Sequence, residues 1–210
     1  MDVRFLGTVE FAKAWALQKR LADERSQGLI ADTLLLLEHP PVYTCGASSR
    51  DVPPPGLPHP YYVIERGGDT TYHGPGQLVG YPIMHLGERG LGAVDHLRLI
   101  ESALIRTCAR FGLAAETVAG FTGVWCRGRK IASIGVAVRR NVSYHGFALN
   151  VDCELSPFYR INPCRLEPEQ MSTLSKLAGR PISVAAAARA AAEAFKESFK
   201  TPQEPAAQAA

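Results

Sequence analysis

The chain has 210 residues, 46% of them hydrophobic and 20% charged, and 23 Lys plus Arg against 20 Asp plus Glu leave a formal net charge of +3. Those values belong to an ordinary globular domain; they exclude an acidic disordered solubiliser and weigh against a dedicated nucleic-acid binder, which carries a larger basic excess. Glycine and proline together supply 34 residues, about 16% against an average nearer 12%, which predicts many loops and tight turns rather than a helical bundle.

Residues 11–25 are helical in composition, with Phe11, Trp15 and Ala22 near one face and Gly28 as a stop. Residues 33–38 are a short apolar run before His39-Pro40-Pro41, which predicts a buried strand, and 42–45 predict another. Residues 51–60 hold five prolines and predict a loop. A strand resumes at 61–65, a polar glycine-rich loop fills 66–77, and 78–86 are apolar again. The strongest helix is 93–111: Asp95 can cap it, Leu97, Ile100, Leu104, Cys108 and Phe111 recur at three-to-four spacing, and Gly112 ends it. Residues 123–126 and 130–138 flank Arg127-Gly128 and predict a hairpin. Another strand is expected at 144–151, and Ser183 can cap an Ala-rich helix that runs to Phe199. No repeat and no linker divides the chain. The expectation is one α/β (α+β) domain over residues 1–200, a mixed β-sheet flanked by helices, with 201–210 as a disordered tail.

Cys45, Cys108, Cys126, Cys153 and Cys164 are odd in number and widely spaced, with no C-x-x-C. This predicts free thiols in a reducing interior rather than disulfides or a zinc site, and hence no metal. No basic segment followed by an apolar run opens the chain, and the longest strongly apolar run, 34–37, is far short of a membrane span. A soluble, cytoplasmic protein with no membrane or nucleic-acid partner is expected.

Four segments carry groups suited to chemistry. Residues 66–77, Arg-Gly-Gly-Asp-Thr-Thr-Tyr-His-Gly-Pro-Gly-Gln, combine backbone that can approach a ligand closely with an Arg and a His suited to a carbonyl, phosphate or oxyanion. The segment matches neither phosphate-binding glycine pattern; a plain surface hairpin loop is the alternative. Lys130 opens the apolar stretch 130–135, Lys-Ile-Ala-Ser-Ile-Gly. A lysine there is either a solvated edge residue or, facing a pocket, a base or a partner of a thiolate. Residues 145–151, His-Gly-Phe-Ala-Leu-Asn-Val, leave space beside a strand at Gly146 and Ala148, with Phe147 able to line a cavity; an ordinary core strand fits equally. In 161–164, Ile-Asn-Pro-Cys, the proline presents Cys164 in a turn with Arg165 beside it. That cysteine is either a nucleophile or a small buried hydrophobe.

Taken together these segments resemble the lipoyl(octanoyl) transferase family. The family's R-G-G-x-x-T-[FY]-H-x-P-G-Q is matched at 66–77, K-I-A-S-I-G at 130–135, H-G-x-A-L-N-V at 145–151 and I-N-P-C at 161–164, in order, within a resemblance covering roughly 5–180. Where the family commonly has Gly after the cysteine, this chain has Arg165. The resemblance implies the fold of the biotin and lipoate protein ligase catalytic domain. It implies a cofactor-free transfer of octanoyl from octanoyl-acyl carrier protein to a lysine of lipoyl domains of 2-oxoacid dehydrogenases and of the glycine cleavage H protein, the first step of endogenous protein lipoylation. Cys164 would be the acyl-thioester nucleophile and Lys130 its partner. Substrate contacts would come from Arg66, Gly67, Gly68, Asp69, Thr70, Thr71, Tyr72 and His73, from Ser133, Ile134 and Gly135, and from Gly146, Phe147 and Ala148. Backbone N–H groups near Gly135 or at Cys164, or the His73 ring, would serve the oxyanion. Two rivals remain at this point: an ATP-dependent lipoate or biotin ligase of the same fold, and a non-catalytic acyl-carrier-protein binding module. Lipoate ligases tend to read His-Asp-x-Gly-Asn where this chain reads His73-Gly74-Pro75-Gly76-Gln77.

Overall fold

The apolar run at 33–37 organises the molecule around itself. In the computed structural model, which describes residues 1–47, 49, 55–161 and 168–200, Thr33–Glu38 forms strand β2 with all four leucines buried. A strand apolar on both faces needs cover on both. Leu34 and Leu36 join a core with helices α2 (Ala93–Ala109) and α4 (Val184–Ser198), while Leu35 and Leu37 join another under helix α1 (Phe11–Ser26).

Strand β2 sits in a seven-stranded sheet of order β1-β2-β6-β10-β9-β8-β7. The other strands are β1 (Asp2–Thr8), β6 (Gln77–Ile83), β7 (Ala115–Glu116), β8 (Val124–Cys126), β9 (Arg129–Arg139) and β10 (Val142–Asn150). Only the β1–β2 pairing is parallel, so the sheet is mixed as expected. A second sheet, β4-β3-β5, pairs β3 (Val42–Gly46) with β4 (Tyr61–Ile64) in parallel and with β5 (Thr71–His73) antiparallel. It is tied to the first where the Gly67 N–H donates to Val136 O, 3.1 Å away. Short helix α3 (Leu174–Ala178) precedes α4.

The turns follow from local chemistry. Arg127-Gly128 and Arg140-Asn141 each place both residues at φ between +50° and +70°, the left-handed pair that a two-residue type I′ hairpin requires. Helix α4 starts where expected, its Ser183 Oγ accepting from Ala186 N–H at 3.2 Å. Elsewhere the structure corrects the reading. The stretch 66–77 is not all loop, because Thr71–His73 pairs with β3. Gly92, not Asp95, caps α2; Asp95 stands three residues in and accepts from the Gly92 N–H at 2.9 Å. That helix stops at Ala109, and β10 starts at Val142. The half-exposed strand β1 was not expected. Cys164, part of the proline-rich loop and the tail from 201 lie outside the described residues. No described helix is long and apolar enough to cross a membrane.

Candidate functional site

The motif segments meet because the register of two neighbouring strands brings them level. Ala148 on β10 lies between Ser133 on β9 and Val79 on β6, and Gly146 lies opposite Gly135. These positions form one wall of a cleft. Arg66, Gly68, Thr71 and His73 supply another wall, and Phe11 of α1, Ile64, Tyr81 of β6, Ile134 and His145 complete the lining. Phe147 touches the cleft, but its ring lies over Gly80 and stacks on Phe195 at 5.1 Å. A side chain on Gly80 would begin 2.2 Å from that ring, so only glycine allows the crossing.

Not every residue of the glycine-rich segment faces the cleft. Strand β5 alternates: Thr71 and His73 face in, while Tyr72 turns to Tyr43 and Phe158, with ring centroids 5.4 and 5.8 Å away. Gly67, Asp69 and Thr70 are not among the residues that line the cleft. The Asp69 carboxylate accepts from Ser49 Oγ at 2.9 Å, and the carbonyls of Gly67, Asp69 and Thr44 accept from the Arg66 guanidinium at 2.9, 3.0 and 2.7 Å. The loop therefore folds around a buried cation.

His73 and His145 feel that cation, His39 lies against His73 with ring centroids 5.9 Å apart, and burial keeps all three neutral. His73 is pushed down to about 3, with His39 and Arg66 adding to the effect of burial; His39 and His145 are each pushed to about 4. His145 occupies the left-handed region at φ +58° in mid-strand, and its N–H leaves the ladder to donate to Gln18 Oε1 at 2.8 Å. This local kink precedes Gly146, where a side chain would begin 2.2 Å from Gly80 O.

Lys130 is 2% exposed and lies outside the cleft lining; Ser133, three residues along the same strand, is part of it. Its Nζ sits 5.0 Å from the Trp125 ring centroid, within cation–π range. Its carbonyl accepts from Ser172 N–H at 2.9 Å, and the residue forms a parallel bridge with Met171. Met171 packs in one cluster with Ile161 and Tyr72. The described residues on both sides of Cys164 in sequence thus pack together, and one of them is paired with Lys130. Of the other cysteines, all four are buried and free, and burial pushes the thiols of Cys108 and Cys153 up to about 12. Among the described residues no cluster of three His, Cys, Asp or Glu is arranged to hold a metal.

Sequence reading did not single out Phe11 and Tyr81, which no motif contains. Nor did it give work to Gln77 and Asn150, although both stand inside quoted motifs; their burial, 1% and 2% exposed, is what distinguishes them.

Residues 10–196 match the family model of the lipoyl protein ligase A/B catalytic domain. The chain is 49% identical over 199 residues to the octanoyltransferase of Geobacter metallireducens, covering 93% of this chain and 92% of that protein. It is 50% identical over 197 residues to that of Geobacter sulfurreducens, covering 93% and 83%. Against the octanoyltransferase of Mycobacterium tuberculosis H37Rv it is 49% identical over 187 residues, covering 88% and 80%. Among solved structures it is similar to lipoate-protein ligase A bound with ATP, with TM-score 0.75 at 14% identity, covering 95% of this chain and 86% of the other. The bipartite lipoate protein ligase of Thermoplasma acidophilum gives 0.71 at 15%, covering 95% and 84%. Biotin protein ligase from Aquifex aeolicus gives 0.54 at 11%, covering 95% and 68%. At such identities the structures speak for the fold alone.

Proposed function

The chain belongs to the family of lipoyl protein ligase A/B catalytic domains, and from that premise we infer that it is an octanoyltransferase of protein lipoylation. One observation carries the reading: three motif segments converge on a single cleft, in a chain 49% identical to an octanoyltransferase across 93% of its length. In the full proposal, Cys164 takes octanoyl from octanoyl-acyl carrier protein and gives it to a lysine of a lipoyl domain, in the cytoplasm. The acceptors are the lipoyl domains of 2-oxoacid dehydrogenases and the glycine cleavage H protein. Residues 1–200 form the catalytic domain.

The chemistry balances without ATP. A free thiol with a pKa of about 8.5 is mostly protonated at neutral pH, so Lys130 either takes the Cys164 proton or stands as an ammonium beside the thiolate. The thiolate attacks the octanoyl carbonyl, the tetrahedral oxyanion collapses, and the carrier's thiolate leaves and takes up a proton. One thioester replaces another, so this step is close to thermoneutral. The neutral amine of the target lysine then attacks the Cys164 thioester, loses a proton and expels the Cys164 thiolate. The amide formed is more stable than the thioester consumed, which drives the cycle. Cleft burial of the seven carbons beyond the carbonyl, at about 0.8 kcal/mol each, is worth roughly 5–6 kcal/mol and favours C8 over much shorter chains.

Intact-mass measurement after mixing with octanoyl-acyl carrier protein, without ATP, tests this. An octanoyl adduct is expected on the wild type and on Cys126→Ala, and none on Cys164→Ala. An adduct on Cys164→Ala would overturn the nucleophile assignment. Transfer that needs ATP would instead indicate a ligase, and a stable complex without adduct a carrier-binding module.

A further inference from the structure

A row of buried side chains links the glycine-rich segment to the segment paired with Lys130, and main-chain carbonyls fix its direction. Asn150 ends β10 and aims its amide nitrogen at Ser172 O, 3.1 Å away. A carbonyl only accepts, so Asn150 Oδ1 must face Gln77, whose Nε2 donates to it at 2.9 Å. The same Nε2 donates to Tyr72 O at 3.2 Å. Gln77 Oε1 therefore faces His73 Nδ1 at 2.8 Å, and Nδ1 carries the ring proton. His73 Nε2 is left as an acceptor for the Thr44 hydroxyl at 3.2 Å, and Thr44 Oγ1 accepts from Arg66 Nη2 at 3.1 Å.

Every donor in the row points away from the Arg66 cation and towards Ser172, whose own N–H donates to Lys130 O at 2.9 Å. Hydrogen bonds aligned in this way polarise one another in a low-dielectric interior. Thr44, His73, Gln77, Asn150 and Ser172 are all less than a tenth exposed. The row also removes the His73 ring as an oxyanion donor, because its one proton is already given to Gln77.

We propose that Asn150 is a positioning residue for acyl transfer: as the last side-chain donor of this row it holds Ser172, and through Ser172 the main chain of Lys130, in register with the cleft. The inference rests on the reading that Lys130 serves Cys164. Small displacements at such a place are costly, since about 1 Å of misplacement can lose up to about 100-fold in rate.

The test uses the chemistry of aspartic acid. Asn150→Asp keeps the side chain's shape. Ionised, it can only accept, and the link to Ser172 O is lost. Protonated, its carbonyl accepts from Gln77 and its hydroxyl donates to Ser172 O, which restores the row. Among the titratable groups around the position, the Cys153 thiol, with Sγ 3.6 Å from Asn150 Oδ1, is pushed up by burial to about 12, and His73 is pushed down by burial to about 3. Lys130 and Lys176 are the neighbouring cations, and Asp152 and Glu154 the carboxylates on the adjoining segment.

Single-turnover acylation of Cys164 by saturating octanoyl-acyl carrier protein is followed by intact mass across the pH range in which each protein is folded, with melting temperatures measured alongside. Asn150→Leu is expected to acylate about 10- to 100-fold more slowly at every pH. Asn150→Asp should match that loss at high pH and approach the wild-type rate as pH falls, with half-saturation by donor little changed. A purely structural role would lower melting temperatures and leave the rate of folded protein, and its pH profile, like the wild type's. Wild-type rates in both variants, or an Asn150→Asp deficit equal at all pH values, would overturn the proposal. If Asn150→Leu does not fold, the pH response of Asn150→Asp decides alone. Failure of the wild type itself to acylate would instead refute the thioester reading.

Discussion

Ala148 is where a single side chain sets the room available to the acyl group. It lies level with Ser133 and Val79, is 4% exposed and lines the cleft. Ala148→Leu adds three carbons to that wall, and overpacking of this kind typically costs about 1–3 kcal/mol when nothing gives way. A shorter acyl chain gives way, at a loss of about 0.8 kcal/mol for each methylene no longer buried. Competition between acyl thioesters of different lengths should therefore show Ala148→Leu shifted from octanoyl towards shorter chains; an unchanged profile would place the acyl group elsewhere. This position was legible in the sequence because small residues beside a strand leave space. Tyr72 was not, because its orientation depends on the alternation of a three-residue strand hidden inside a glycine-rich segment. Phe11 and Tyr81 reach the cleft from α1 and β6 with no local signature, and the roles of Gln77 and Asn150 depend on partners that only the fold assembles.

Among the elements, α4 shows how a local signal becomes a stability contribution. Ser183 caps it through Ala186 N–H, and behind the cap Ala187, Ala191 and Phe195 are fully buried against α2 and the sheet. Ser183→Ala removes the acceptor and should cost about 1 kcal/mol, which corresponds to a fall of roughly 2–4 °C in melting temperature for a chain of this size. Calorimetry checks this, and an unchanged Tm would mean that water replaces the cap at no cost. Elements like this one were readable because their signals are short-range: serine before an apolar face for α4, a continuous leucine run for β2, a periodic stripe for α2. Strand β1 escaped because it is an edge strand whose residues are exposed or half-buried, so neither alternation nor a solid apolar run marks it. The Arg140-Asn141 turn escaped because its left-handed pair contains no glycine, and Asn is the weaker of the two signals for that conformation.

On the scale of the whole molecule, four buried histidines set the response to acid. His39, His96 and His145 are pushed down from 6.5 to about 4 and His73 to about 3, in every case chiefly by burial. His96 packs against the Phe199 ring at 5.7 Å, and neither of its ring nitrogens has a hydrogen-bond partner among the described residues. An imidazole whose folded pKa lies below its unfolded one binds no proton in either state well above 6.5, so it leaves stability flat there. Between 6.5 and about 4 the unfolded chain takes up the proton and the folded chain does not, so stability falls as pH falls; below about 3 both states are protonated and the loss stops growing. The slope is at most about 1.4 kcal/mol per pH unit for each such histidine. The carboxylates act in a lower window: Asp32, held by the His85 N–H, Arg25 and Arg89, and Glu65, brought to about 2 by Lys19, Trp15 and His145, lose stability only as pH drops below their ordinary values of 3.8 and 4.5. Melting temperature should therefore be level from neutrality to about pH 8, above which the Cys108 and Cys153 thiols ionise in the unfolded chain alone, and begin to fall near pH 6, before any carboxylate titrates. Calorimetry in two buffers of different ionisation enthalpy should show protons taken up on unfolding in that window. His96, on α2, is not among the residues that line the cleft, and His96→Leu should remove its share of the uptake and make the curve shallower. A wild-type Tm that stays level down to pH 4.5 would mean that these imidazoles are already protonated in the folded protein, and the neutral His73 on which the hydrogen-bonded row depends would fall with it.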